Sequence, residues 1–584
     1  MVLILLIDLT SAAKPECYLG LDVGTQGTKC VAYSPSEQRV IARSSSSYGL
    51  APNPDAIPGR AEQDPQVWLD AVDVCLKKIS SRIRAKYSIG GIGVSGQQHG
   101  LVALNDECNP VRLAKLWCDV EASDQARRLK EMYKHTKQLN FLTASFTSPK
   151  ILWMKENEPE FFEQTRWIVM PHDFVTMKLA GLEAPITDAG DASGNGIFDT
   201  NTRQHDANLA GVIDKGLIQK LPTVLPSNAV AGCLSERYLK ILGLPLSTKI
   251  PISVGSGDNM CSALGVGCVK PGQFVMSLGT SGTVFGVTSR PVPSNTPVAP
   301  FCDAGGRHLP LACTMSCTGV LEHVLTHWCN GLTHEAMSSR AASIPIGSLG
   351  VTFLPYLGGE RTPNWPCASG AILGLTTQNF KDPSVLYRAC LEGISFVLAD
   401  VLQHFGAVER MYIVGGGSKN RFWCQMIADI VRCELVVPIE PESAALGAAF
   451  QAGAAACGMR VDEYVLQQAI AVSQHSIHSI PEHWDAYQEA FARYKNLSRT
   501  LFQEPSSMYK LYQYSLCKYF LFRDYACNML RKTELASQGF LDGLIGRFQR
   551  RGEEKVEMTD EEADDLLSAL VDVEEFAQAQ ASQN

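Results

Sequence analysis

The sequence predicts an α/β protein of two domains, each a mixed β-sheet covered by helices. Three observations lead there. From Cys17 to about Phe502, short apolar or β-branched runs alternate with longer helical patterns. At 584 residues and 45% hydrophobic, the chain is too long for one core. An internal echo completes the case: Gly24-Thr25-Gln26-Gly27-Thr28 follows one apolar run, and Gly279-Thr280-Ser281-Gly282-Thr283 follows another 255 residues later.

The expected strands include Tyr18 to Asp22, Ile89 to Val94, Phe274 to Leu278 and Met411 to Val414. Helical spacing is clearest over Pro65 to Arg84, Ser384 to Phe405 and Arg421 to Cys433, with Pro- and Gly-rich joints at Ala51 to Gly59 and Pro291 to Pro300. Two similar hairpins imply two similar domains. We place the first at about 17–257, after an extension of residues 1–16, and the second at about 258–504, before a helical acidic extension of residues 505–584. The cleft between the domains is the expected active site.

Residues 551–584 hold eleven acids against Arg551 and Lys555, which accounts for the whole formal charge of -9. The neutral body lacks the basic surface of a nucleic-acid or anionic-membrane binder and points to small-molecule partners. Nineteen cysteines have no CxxC pair or regular spacing, so they read as small buried hydrophobes in a reducing, cytoplasmic setting. Met1 to Thr10 is apolar but contains Asp8 and has no basic residue before it, unlike a secretory signal. No apolar run has the length of a membrane helix.

In the first turn Asp22 ends a strand, glycines let backbone N–H groups approach an anion, and Thr25, Thr28 and Lys29 add hydroxyls and a charge. One such turn is also an ordinary hairpin; its second copy, led by Gly279 and Thr280, makes a grip on a nucleotide's phosphates from two sides, with Asp22 holding Mg²⁺. No Walker string GxxxxGK[ST] occurs. A third cluster, Gly415-Gly416-Gly417-Ser418-Lys419-Asn420, sits between a strand and a helix, where backbone can approach the flat adenosine end of a nucleotide or simply turn. Asp258, in Gly255-Ser256-Gly257-Asp258-Asn259, reads locally as a helix cap.

Together these strings resemble the FGGY carbohydrate kinases of the actin-like (ribonuclease H-like) ATPase fold, over about residues 17–504. The match includes Asp22-Val23-Gly24-Thr25, Ser148-Pro149-Lys150-Ile151-Leu152-Trp153, Ser277-Leu278-Gly279-Thr280-Ser281-Gly282, and the segments at Gly255 and Gly415. Three further strings narrow it toward ketopentose kinases: Gly93 to Gly100 with Gln97-Gln98-His99-Gly100, Leu116-Trp117-Cys118-Asp119, and Leu354 to Pro363 with Gly359-Glu360-Arg361-Thr362. The resemblance implies ATP-dependent phosphorylation of D-xylulose, with ATP and Mg²⁺ as cofactors and Asp258 as general base. Gln98, His99, Trp117, Asp119, Asp258 and Asn259 are its implied sugar contacts. Gly24, Thr25, Gln26, Lys29, Gly279, Thr280, Gly415, Gly416, Gly417 and Asn420 are its implied nucleotide contacts, and Asp22 the metal ligand. Glycerol kinases of this superfamily carry Arg two residues after the Asp of Trp-x-Asp; Glu121 stands there, which weakens a triol substrate.

Other expectations stay open beside this one: a different sugar kinase of the family (for ribulose, gluconate, sedoheptulose or glycerol), a non-catalytic sugar or nucleotide sensor, or an actin-like or chaperone ATPase. A homodimer is a candidate assembly. Beyond the resemblance, Met508 to Lys532 mixes aromatic and basic residues as a packing or partner-binding segment. Thr559-Asp560-Glu561-Glu562 then has the spacing of a capping box opening an acidic helix, a candidate surface for an unknown partner.

Overall fold

A computed structural model describes residues 14–134, 139–293, 296–329, 331–468 and 473–502. The expectations for Met1 to Thr10, Met508 to Lys532 and the acidic helix at Thr559 lie outside the described residues.

The first sheet is built from β1 (Glu16–Val23), β2 (Gly27–Ser34) and β3 (Arg39–Ser47), followed by helix α1 (Pro65–Ile83), β4 (Ser88–Gly96), β5 (Val230–Cys233), β6 (Pro251–Ser253) and the short β7 (Ser256–Gly257). Its order is β5-β6-β4-β1-β2-β3, with β7 also on β4. Helix α2 (Asp258–Val266) follows directly. The second sheet uses β8 (Gln273–Leu278), β9 (Gly282–Gly286) and β10 (Leu311–Thr314); then come helix α3 (Pro383–Leu402), β11 (Arg410–Val414), α4 (Arg421–Val431), β12 (Glu434–Pro438), α5 (Ser443–Cys457) and β13 (Ser473–Ile477). Its order is β10-β9-β8-β11-β12-β13.

The two sheets repeat one plan. Each begins with an antiparallel three-strand meander, continues through two parallel strands laid against the meander's first strand, and ends in an antiparallel edge strand. The echo of Gly-Thr turns therefore reports a duplicated architecture: each turn joins the first two strands of its meander. This is the two-domain, actin-like α/β fold that the sequence predicts.

Local sequence explains the helices that bracket the sheets. Asp64 accepts the Gln66 N–H at 2.9 Å and Pro65 occupies the first turn of α1, where its missing N–H costs nothing. Asp382 and Pro383 repeat the device for α3, which is apolar on nearly all sides and buried accordingly. Helix α5 belongs to the second half of the chain but lies on the first sheet and on α2. It approaches backbone to backbone. A Cβ added at Gly447 would fall 1.7 Å from the Cys261 carbonyl of α2, and one at Gly93 would fall 2.0 Å from the Ala448 carbonyl. Only glycine permits these crossings. Tyr33 and Phe450 add an edge-to-face ring contact at 4.9 Å between the two halves. No helix among the described residues is long and apolar enough to cross a membrane, and every described cysteine is free, most of them buried.

Candidate active site

The strand register places two carboxylates, Asp22 and Asp258. Across β1, β4 and β7, Asp22, Ser95 and Ser256 form one row, and Val23, Gly96 and Gly257 the next. Asp258 follows Gly257 as the first residue of α2, so it and Asp22 stand on either side of β4, about 10 Å apart between strand axes at two strand spacings. Ser95 Oγ donates to Asp22 Oδ1 at 2.9 Å. Burial pushes the Asp22 carboxyl up to about 6, the Ser95 bond and Lys29 pulling against it. Burial and the neighbouring Asp22 charge lift Asp258 to about 7. Two carboxylates sharing a partly desolvated cleft repel one another, and hard oxygen donors of this kind suit Mg²⁺. Asp258 does not cap its helix in the manner the sequence allowed, since Gly257 holds the N-cap position; its Oδ1 instead accepts the backbone and side-chain N–H of Asn259, at 2.8 and 2.9 Å.

Beside it lies a cluster of amide and imidazole groups. Asn259 Nδ2 also donates to Gln98 Oε1 at 3.2 Å, while Gln98 Nε2 is buried without a hydrogen-bond partner. An orphaned buried donor is costly unless a ligand oxygen satisfies it, so this amide fits a polyhydroxylated acceptor. His99 takes a left-handed φ of 63°, turns its Nδ1 onto the Gly194 carbonyl at 2.6 Å, and packs its ring against Phe146 and Phe301. A carbonyl can only accept, so Nδ1 carries the proton and Nε2 is left as an acceptor. Burial, reinforced by Lys150 and Arg361, pushes this imidazole down to about 3, leaving it neutral. Lys150 is wholly buried, its Nζ turned onto the carbonyls of Ala144, Ser145, Phe146 and His99.

The first glycine turn closes through Gly24 N–H to the Gly27 carbonyl at 3.1 Å, leaving Gln26 exposed at its tip. Thr25 Oγ1 donates to Gln97 Oε1 at 3.0 Å and accepts from Trp117 Nε1 at 2.9 Å. Trp117 is 40% exposed, a plate open to the cleft. Lys29, opposite Asp22 in the register, pairs with Glu442 at 2.7 Å. In the second turn, Thr280 and Ser281 are exposed, while Thr318 and Gly319, opening the helix Thr318–Trp328, donate to the carbonyls of Gly279 and Thr280. The third cluster packs on the strand leading into that turn. Gly415 adopts φ 87°, and a Cβ there would meet the Leu278 carbonyl at 2.8 Å; Gly417 packs on the Leu278 side chain, and Gly416 faces open space. Asn420 caps α4 through Trp423 N–H and donates to Ser338 Oγ.

Asp119 lies outside this constellation. It is fully buried, its oxygens taken by Ala61 N–H at 3.0 Å, Lys115 Nζ at 3.2 Å and Glu121 N–H at 3.2 Å. Glu121 pairs with Arg60 and Lys115 rather than facing an acceptor.

Comparison with known proteins decides the family. Residues 17–265 match the model of the FGGY family of carbohydrate kinases, N-terminal domain, and residues 274–456 match its C-terminal domain. This chain belongs to the FGGY family of carbohydrate kinases. Among its relatives, a xylulose kinase of Haemophilus influenzae is 33% identical over 452 residues, covering 74% of this chain and 90% of that one. A xylulose kinase of Streptomyces rubiginosus is 36% identical over 455 residues, covering 76% and 88%. The crystal structure of a xylulose kinase from Brucella ovis superposes with a TM-score of 0.76 at 30% identity, over 82% of this chain and 98% of that one.

The FGGY kinase also carries a buried charge cluster that sequence reasoning missed. His172, with no exposed surface, donates through Nδ1 to Asp191 and faces Asp173 with Nε2 at 3.2 Å. Asp188 accepts from Asp191 N–H at 2.9 Å, Ser227 Oγ at 3.2 Å and Ser256 Oγ at 3.0 Å. The loop following these acids supplies the Gly194 carbonyl that holds His99. One buried assembly thus braces both the strand leading to Asp258 and the imidazole of His99. Glu360 and Arg361, present in a string read only as part of the resemblance, are a second omission.

Proposed function

We propose that this carbohydrate kinase transfers the γ-phosphoryl group of ATP to the terminal hydroxyl of D-xylulose, giving D-xylulose 5-phosphate. The observation that carries the reading is the chain Gln98–Asn259–Asp258, which sets an orphaned amide donor beside a carboxylate whose proton affinity is raised to about 7. A sugar hydroxyl is a weak nucleophile. A base near the working pH, within reach of its proton, contributes about 10² to 10⁴ in rate.

In this reading Gln98 Nε2, His99 Nε2 and the Trp117 face orient the ketose, and Asp258 accepts the proton of the attacking hydroxyl as the new P–O bond forms. The turns at Gly24 and Gly279 present backbone N–H groups to the phosphates, and the Gly415–Gly417 cluster with Asn420 borders the adenosine. Asp22 is the residue that would hold Mg²⁺, whose contribution when bound is to neutralise charge on the β- and γ-phosphoryl oxygens. Asp119 acts at one remove, fixing the loop that carries Trp117. The lobes divide at about residues 257 and 258, and closure of the cleft excludes water as a competing nucleophile. We place the protein in the cytoplasm, and a homodimer and a partner for the acidic extension belong to the same reading.

A substrate panel tests it. Purified protein with Mg-ATP is offered D-xylulose, D-ribulose, L-ribulose, D-gluconate, sedoheptulose and glycerol, and ADP release is followed. The reading predicts the highest kcat/KM with D-xylulose; a clear preference for any other acceptor contradicts the substrate assignment.

A further inference from the structure

Arg361 stands at an unusual place. The turn that carries it is built on Glu360, only 2% exposed, whose carboxylate accepts the N–H groups of Met315 at 2.7 Å, Ser316 at 3.3 Å, Arg361 at 2.7 Å and Thr362 at 3.4 Å. A carboxylate satisfied by four backbone donors is a rigid pedestal. From it the Arg361 side chain, contributed by the second half of the chain, reaches the first half and donates from Nη2 to Thr143 Oγ1 at 3.2 Å. Among the described residues no carboxylate pairs with the guanidinium.

Its electrostatic neighbours include several cations as well as the acids Glu360 and Asp258, which share the field around Cys313. Arg361 is one of the charges that lower the proton affinity of Lys130, Lys150 and His99 on the acceptor side, after the larger effect of burial. It also acts on Cys313, whose thiol lies within the field of Asp258. The Thr143 hydroxyl that receives the guanidinium stands three residues before Phe146, whose ring packs on His99, so Arg361 reaches the acceptor side of the site without a carboxylate bound to it. A planar fork of N–H donors, preorganised and lacking an acid partner, matches the oxygens of a phosphoryl group better than the hydroxyls of a neutral sugar.

We propose that Arg361 binds the phosphoryl group on the acceptor side, exchanging the Thr143 hydroxyl for phosphoryl oxygens as the group passes to the sugar. The proposal rests on the reading of this site as one that phosphorylates a neutral ketose. The substrate enters uncharged and leaves as an anion, so Arg361 gains its partner in the transition state and the product but not in the ground-state complex with free sugar. Interactions of that kind appear in kcat and in product binding, and leave the KM of the neutral acceptor nearly unchanged.

The test compares wild type with Arg361→Gln and Arg361→Lys in steady-state kinetics and in product inhibition by the sugar phosphate. The acceptor is the sugar that the wild-type enzyme turns over fastest. Arg361→Gln is expected to lower kcat about 10- to 100-fold and to raise the inhibition constant of the sugar phosphate about tenfold or more, as loss of a charge-assisted phosphate contact does. The KM for the sugar should stay within about twofold. Arg361→Lys, which keeps the charge without the fork and serves alone if the Gln variant does not fold, is expected to fall between the two. If the inhibition constant and the sugar KM rise by the same factor, Arg361 contacts the sugar and the proposal is overturned; an unchanged inhibition constant overturns it as well. Failure of the substrate reading is distinguishable, because it shows in the wild-type enzyme as no turnover of D-xylulose.

Discussion

Trp117 Nε1 donates to Thr25 Oγ1 at 2.9 Å, tying the exposed indole to the first glycine turn. The same hydroxyl donates onward to Gln97 Oε1, one residue before Gln98. A hydrogen-bonded chain thus joins Trp117, Thr25 and Gln97. Trp117→Phe keeps the plate and removes the bond; it should lower kcat/KM for the sugar about two- to tenfold, the size of a neutral hydrogen bond. Thr25→Val removes both bonds. Because both substitutions break the Trp117–Thr25 bond, the double variant should lose less than the sum of the two single effects, measurable in a double-mutant cycle.

Asp22 and Asp258 predict a pH profile. Asp258 must be ionised to accept a proton, and burial together with Asp22 lifts it to about 7. The kcat/KM of the enzyme should therefore rise with pH and level off above about 7. Removing the Asp22 charge with Asp22→Asn should move that acidic limb to lower pH, even where the variant's absolute activity is poor. An acidic limb that stays in place shows that another group sets it.

His172 predicts a stability profile. Burial pulls its proton affinity down, but the charges of Asp173 and Asp191 more than reverse this and push it to about 9 in the folded protein, against 6.5 for the free side chain. Its contribution is complete below about 6.5 and is lost as pH rises toward and through about 9. His172→Gln leaves Asp173 and Asp191 buried without their cation, which should cost about 3 to 5 kcal/mol near pH 6. The gap in Tm between wild type and variant, followed by calorimetry, should be widest at pH 6 and should narrow above pH 9.

The backbone crossing of α5 on α2 predicts a steric effect with no chemical component. A Cβ at Gly447 would meet the Cys261 carbonyl at 1.7 Å, and backbone cannot yield as a side-chain tip can. Gly447→Ala should destabilise the fold by about 1 to 3 kcal/mol or more, read as a lower midpoint in urea.

What the sequence made legible is what its chemistry encodes locally. Gly-Thr turns between apolar runs located both hairpins, and the expected strands Tyr18 to Asp22 and Met411 to Val414 fall inside β1 and β11. The same logic placed Gln98, Asn259 and Asp258 near one another, because the resemblance spans both halves. Asp119 shows the limit. A Trp-x-Asp string does not say which way its carboxylate turns; Lys115 and the distant Ala61 N–H decide that. The His172 cluster draws on residues 172–173, 188–191 and 256, and the Arg361–Thr143 bond joins positions 218 residues apart, so neither leaves a local signal.

The central claim is that Asp258 takes the proton of the attacking sugar hydroxyl. Asp258→Asn, nearly isosteric and able to keep its place beside Asn259, tests it in a single-turnover measurement with bound ATP and saturating sugar. The account predicts a phosphoryl-transfer rate reduced by about 10² or more, with nucleotide affinity unchanged. A rate within a fewfold of wild type would contradict it.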